Sequence, residues 1–276
     1  MVLREMQTRN YSQRSIQTYL HMLRSLEDYF DTSIDQISID QIKDFLQHSI
    51  ENRNVSVSYI NQVISAVKLL QKDVLGKEWD TIRIKRPRRI RKLPVVLSKE
   101  EVRSMIETTR NLKHRAILAL IYSAGLRISE LTSLYPSDID SDRKQIKIKG
   151  KGNKYRYTLL SENTLDMLRV YWRAYRPVRF LFEGYRKGQP ISKETIRKIF
   201  KNACVNTNIH KPVSVHSLRH SFATHLLESG VNLKIIQSLL GHSSLRTTSI
   251  YLHVTRFDPA SIKSPFDEIY MQGYGK

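Results

Sequence analysis

His216-Ser217-Leu218-Arg219-His220-Ser221-Phe222-Ala223-Thr224-His225-Leu226-Leu227 is the stretch on which the reading of this chain turns. The pattern from Ser217 to Glu228 is helical, and Gly230 ends it. His216 and Arg219, three positions apart, fall on one side of the helix start. Further on, Asn232 can cap a helix over Leu233–Leu240, Gly241 stops it, and His242 and Tyr251 follow. Upstream, Gly125-Leu126-Arg127 supplies a second arginine. Such a set suits a phosphodiester, because a phosphoryl transition state needs its equatorial oxygens neutralised and its nucleophile aligned. A phenol that attacks phosphorus becomes a covalent phosphotyrosine, so the set points to the breaking and rejoining of DNA.

Working outward, Leu97-Ser98-Lys99-Glu100-Glu101 reads as a capping box that opens a domain. Arg115 to Tyr122 reads as a buried helix broken at Ser123-Ala124-Gly125, after which Arg127 opens a short helix through Ile128 and Leu131. Gln145–Lys149 and Tyr155–Leu159 alternate as strands around Gly150-Lys151-Gly152-Asn153, a β-hairpin with a lysine at its tip. Ser161 and Ser192 each cap a further helix. At the front of the chain, apolar residues recur every three or four positions over Ser15–Phe30, Ile39–His48 and Val57–Val74, which predicts a small helical domain. Between the halves lies Arg83-Ile84-Lys85-Arg86-Pro87-Arg88-Arg89-Ile90-Arg91-Lys92-Leu93-Pro94, aperiodic, proline-bearing and dense in positive charge, which reads as a linker. The expected organisation is a helical domain over 1–82, a basic linker over 83–96 and a catalytic domain over 97–276. The expected fold is mainly α with a small β-sheet or hairpin in the catalytic domain.

Composition narrows the partner. The 276 residues carry 46 Lys and Arg against 26 Asp and Glu, a formal charge of +20 and a pI near 10.0. A polyanion, nucleic acid above all, is the expected partner. Cys204 is the one cysteine, which rules out an intramolecular disulfide and fits a reducing compartment. The first residues lack an apolar signal core, and the apolar stretch Ala116–Leu126 is too short to span a bilayer, so the expected protein is soluble and cytoplasmic, with no membrane partner.

Four motifs carry a resemblance: Ala124-Gly125-Leu126-Arg127-Ile128-Ser129-Glu130-Leu131, Gly150-Lys151-Gly152-Asn153-Lys154, the His216–Leu227 stretch, and Leu240-Gly241-His242-Ser243-Ser244 with Thr247-Thr248-Ser249-Ile250-Tyr251. Together they resemble the tyrosine recombinase (phage integrase) family, closest in layout to its compact Xer-type and integron-type site-specific recombinases. The resemblance covers the back half from about Leu97 to Val254, and the front half is similar to the family's SAM-like core-binding domain. It implies a two-domain, C-shaped clamp on double-stranded DNA bearing specific recombination sites, and a homotetramer on synapsed DNA. The reaction implied cleaves and rejoins DNA through a 3′-phosphotyrosyl intermediate and a Holliday junction, in integration, excision, inversion or resolution of a mobile element or replicon.

Each matched residue also has a chemical reason. Arg127 and Arg219 present planar forks of donors to non-bridging phosphate oxygens and stay charged at any working pH. Lys151 matches the family's general acid for the departing 5′ oxygen, with Lys149 and Lys154 close enough to compete for the role. His216 can exchange a proton with the Tyr251 hydroxyl, and the resemblance implies that His242 hydrogen-bonds the scissile phosphate and that Glu130 orients the site without reacting. Tyr251 is the expected nucleophile, although its periodicity fits a packed aromatic as well as an exposed phenol. Lys85, Arg86, Arg88, Arg89, Arg91, Lys92, Lys149 and Lys154 are expected to follow phosphates, the alternative for the linker run being a solvated tether. His220 and His225 are expected to face packing or DNA. No metal is expected, because neither Cys-x-x-Cys nor His-Glu-x-x-His spacing occurs. No cofactor is needed either, since a phosphotyrosine keeps the energy of the broken bond for religation. The competing readings are a type IB topoisomerase-like nicking-closing enzyme and a non-catalytic DNA-binding relative.

Overall fold

Serines start most of the helices. A computed structural model describes residues 1–78, 84–87, 93–150 and 155–255, and the chain divides into two compact units, Met1–Arg91 and Lys92–Lys276, the division falling inside the basic segment.

In the first unit, α1 (Val2–Thr8) leads to α2 (Gln13–Phe30), α3 (Ile39–Arg53) and α4 (Val57–Lys68). Ser12, Ser38 and Ser56 cap α2, α3 and α4, each accepting from the N–H three residues on, and Gln41 completes a capping box with Ser38. The apolar stripes meet in a core containing Leu23, Leu26, Ile42, Phe45, Val63, Ile64 and Val67. Beyond Lys68 the helix widens into a π-helical stretch, Leu69–Val74. Leu69 there packs with Ile16 and with Met6 of α1. Helix α1 went unread in the sequence because seven residues give barely two turns of pattern.

The second unit opens with α5 (Lys99–Thr108), whose capping box between Ser98 and Glu101 is formed in both directions. Next come α6 (Leu112–Ser123) and α7 (Ile128–Thr132). Ala116 to Ile121 are all buried, so α6 is covered on every side and runs through the middle of this unit's core. Strands β2 (Gln145–Lys149) and β3 (Tyr155–Leu159) pair antiparallel, with Gln145 opposite Leu159 and Lys149 opposite Tyr155. A two-residue β1 (Ile139–Asp140) extends the sheet along β2 to three strands. Ile146 and Ile148 point inward, and the Thr158 hydroxyl donates to the Ala124 carbonyl at 2.9 Å, fixing β3 against the end of α6. Helices α8 (Glu162–Tyr175), α9 (Lys193–Asn206), α10 (Val215–Glu228), α11 (Leu233–Leu240) and α12 (Leu245–Thr248) follow, and a 3-10 turn over Ser249–His253 carries Tyr251. The mainly α architecture with one small sheet is the fold class expected from the sequence.

Candidate active site

Three arginines converge on one buried carboxylate. Glu130 on α7 is 7% exposed. Arg127, at the N-cap of α7, reaches it twice: its backbone N–H donates to Oε2 and its Nη1 to Oε1, both at 2.8 Å. Arg156 comes from β3 and binds the same carboxylate through two bonds, Nη1 to Oε1 at 2.9 Å and Nη2 to Oε2 at 3.0 Å, while its Nε donates to the Leu239 carbonyl at 2.8 Å. Arg219 on α10 lies 3.7 Å from Glu130 Oε2. Its Nη1 donates to the Gly125 carbonyl at 2.5 Å and its Nη2 to the Leu240 carbonyl at 2.6 Å. Burial pushes the Glu130 carboxyl up, but the Arg156 bonds and charge, then those of Arg127, outweigh it and hold the group below the usual range. Burial, then Arg127, brings Arg219 down to about 10, so it remains a cation at neutral pH. One carboxylate against three guanidiniums leaves positive charge in a poorly hydrated place, which favours an anion.

Two glycines let these groups approach. Gly125 has φ +61°, and a Cβ there would stand 2.4 Å from Phe222 Cδ1. Gly241 has φ +64°, and a Cβ would stand 2.6 Å from Arg156 Cδ. The second glycine therefore ends α11 and also leaves the channel along which Arg156 reaches Glu130.

His242 sits just past that turn. Its Nε2 is 3.1 Å from Arg219 Nη2 and its Nδ1 is 2.9 Å from Thr248 Oγ1. A guanidinium only donates, so Nε2 accepts from Arg219 and Nδ1–H donates to Thr248. Burial, then Arg219 and Arg127, takes the imidazole to about 4 and keeps it neutral. In this arrangement His242 holds Arg219, and its Nε2 turns to a phosphate only by exchanging that bond. Tyr251 is 2% exposed and packs with Phe222, Ala223, Ile236 and Leu240. Its hydroxyl lies 3.1 Å from His220 Nδ1. Of the two arrangements compatible with its periodicity, the packed one is realised, and burial raises its phenol against the opposing charges of Arg219 and Arg127. The sequence reading gave the tyrosine proton to His216, whereas the hydroxyl is bonded one helical turn later, to His220. His216 is exposed on the first turn of α10, its ring 6.0 Å from that of His220 and edge-on to it.

A cleft of about 1030 Å³ opens onto this cluster, lined by Arg127, Glu130, Lys149, Arg156, Gly241 and His242 among others. The structure thus brings Arg127, Glu130, Arg219 and His242 into one bonded network and places Lys149 at the cleft wall. Lys151 and Lys154, like Arg88, Arg89, Arg91 and Lys92, lie outside the described residues. Lys85 is exposed. Arg86 is tied down: it donates to the Asn61 carbonyl and Oδ1, both at 3.2 Å, and to Ser65 Oγ at 3.0 Å. With Ile84 buried in the first unit's core, this start of the basic run belongs to α4. Arg156 and His220 were not singled out for the site by sequence. An i+4 relation to His216 was the available signal for His220. For Arg156 the signal was weaker, an arginine alternating in a strand beside a glycine-rich turn. His225, expected to face packing or DNA, has its Nδ1 2.9 Å from the Tyr122 hydroxyl.

The fold and the comparisons with known proteins place the chain in the class of tyrosine-type DNA strand transferases. Residues 95–256 match the phage integrase family and residues 1–81 match the N-terminal SAM-like domain of phage integrases. A tyrosine recombinase of Thermosipho africanus is 34% identical over 258 residues, covering 89% of this chain and 90% of the relative. Tyrosine recombinase XerD of Staphylococcus saprophyticus is 32% identical over 249 residues, covering 86% and 83%. Among solved structures, the XerH site-specific recombinase in a post-cleavage complex with a palindromic difH substrate aligns with a TM-score of 0.72 at 25% identity, over 90% of this chain and 78% of that one. The chain belongs to the phage integrase family and is a site-specific DNA recombinase of the tyrosine class.

Proposed function

We propose that this recombinase cleaves and rejoins duplex DNA at specific sites through a 3′-phosphotyrosyl intermediate and a Holliday junction, working as a homotetramer on two synapsed sites and serving a mobile element or replicon in the cytoplasm. The Tyr251 oxygen attacks phosphorus, the bond from phosphorus to the 5′ oxygen breaks, and the phenol proton leaves to a base. Arg127 and Arg219 hold the non-bridging oxygens, where charge-assisted bonds from preorganised donors act with greatest effect. Lys151, with Lys149 and Lys154 as its neighbours in sequence, gives the proton to the 5′ oxygen. His216, exposed at the start of α10, contributes a donor on the DNA side, and His242 and Glu130 fix the arginines. Lys85, Arg88, Arg89, Arg91 and Lys92 follow the backbone of the bound duplex, and no metal or cofactor takes part. The observation that carries this reading is the bonded path from Arg127 through Glu130 and Arg219 to His242, with Tyr251 packed beneath it on α10 and α11.

A library of duplexes nicked near the scissile position, so that the cleaved end diffuses away, tests it. Wild-type protein is expected to give a covalent band on a denaturing gel with some members, and Tyr251→Phe to bind the same duplexes without forming it. A band that survives in Tyr251→Phe overturns the assignment. Relaxation of a supercoiled plasmid with no joining of two sites would move the activity to a type IB-like reaction.

A further inference from the structure

We propose that His220 is a further catalytic residue, which takes the Tyr251 phenol proton as the phosphotyrosyl bond forms and returns it on religation. The inference rests on the reading of Tyr251 as the nucleophile. His220 Nδ1 stands 3.1 Å from Tyr251 Oη, within proton-transfer reach, with the two ring centroids 5.8 Å apart and tilted by 53°. A phenol that is to become a nucleophile must donate, so Nδ1 is the acceptor and Nε2 carries the ring proton. The imidazole is available for this, because burial, then His216 and Arg219, holds it neutral at pH 7, down to about 4. A weak base in a cationic pocket suits the purpose when the anion arrives. The phosphodiester charge offsets Arg127 and Arg219, and the base strengthens where the phenol must lose its proton. Position also favours it: α10 sets His220 one turn after His216 and next to Arg219, so a single helix holds a phosphate-side arginine and the tyrosine's partner.

In the transfer, the Oη–H bond breaks and the proton moves to Nδ1, Oη bonds to phosphorus, and the bond from phosphorus to the 5′ oxygen breaks with a proton supplied to that oxygen. Religation reverses each step, so no oxidant, reductant or metal is consumed.

The test uses the full chain, a nicked suicide duplex on which wild type gives the covalent band, and single-turnover rates. His220→Ala is expected to slow covalent-bond formation by about 10²–10⁴-fold, the usual worth of a positioned proton acceptor. His220→Asn keeps an acceptor for the hydroxyl but cannot take a proton, and it is expected to be comparably slow while binding DNA as wild type does. Replacing Tyr251 by 3-fluorotyrosine or a difluorotyrosine, whose phenol ionises more readily, is expected to shrink the His220→Asn defect at least tenfold. The same replacement leaves the defect of Arg219→Ala in place. An Asn variant that cleaves at the wild-type rate, or a defect that fluorination leaves untouched, overturns the proposal. If the wild type forms no covalent band, or Tyr251→Phe keeps it, the failure lies in the nucleophile itself.

Discussion

At the scale of single residues, the site is an exercise in holding like charges together. Glu130 does so by accepting from Arg127 and Arg156 at once. Because its folded carboxyl lies below its ordinary value, it contributes stability that is present above the unfolded value, near the usual carboxylate range, and lost as pH falls through the folded one. The thermal midpoint is therefore expected to drop on acidification below about pH 5. Glu130→Gln, which cannot titrate, is expected to start lower and follow a flatter acid limb, and parallel limbs for the two proteins would remove the carboxylate from this role. Gly241 answers a different constraint. Alanine there adds left-handed strain of about 1–2 kcal/mol and meets Arg156. Denaturant unfolding should show Gly241→Ala costing more than that strain alone, with part of the excess relieved in Gly241→Ala/Arg156→Ala, a coupling that additive losses would refute. Sequence made Arg127, Arg219, His242 and Tyr251 legible because their types and order are chemical. It could not show which histidine meets the phenol, since His216 and His220 share a helix face and only the packing of the 3-10 turn chooses between them.

At the scale of elements, caps and periodicity were the readable parts. The serines at 98, 161 and 192 start helices as their local chemistry dictates, and the β2–β3 strands occupy the residues that alternate. Ser98→Ala, losing the hydroxyl that accepts from the Glu101 N–H while keeping the backbone N–H that donates to Glu101, is expected to destabilise the second unit by about 1 kcal/mol in denaturant unfolding, while Ser98→Asp stays near wild type. The same substitution with no effect would mean that α5 is held by its packing alone. Less readable were β1, too short to show a period, and the basic segment, where identical-looking cations differ in environment. Arg86 bonds to Asn61 and Ser65, so Arg86→Ala is expected to lower the stability of the first unit and leave the slope of log affinity against log salt nearly unchanged. Lys85→Ala, removing an exposed charge, should flatten that slope by about one. The opposite outcome would make Arg86 the phosphate contact and its bonds to α4 expendable.

At the scale of the whole molecule, the two units come from different physics. Most of the first is amphipathic helix started by serine caps, α2 to α4, a pattern that local sequence carries even though α1 is too short to show it. The second is assembled from distant parts: Arg219 bonds to the carbonyls of Gly125 and Leu240, and Arg156 on the sheet reaches α7 and the end of α11. Sequence periodicity is local and cannot supply such pairings, which is why the motifs were legible while their connection through Glu130 and Arg156 was not. The excess of cations over the chain, +20 in all, fits a DNA partner at this scale. The central claim is that the packed Tyr251 is the group that joins to DNA. Trapping the full chain on a nicked suicide duplex, digesting the adduct and sequencing the nucleotide-bearing peptide by tandem mass spectrometry tests it most directly. The expected result is a single modified peptide with the 3′-phosphate on Tyr251, and a nucleotide on any other residue would contradict it.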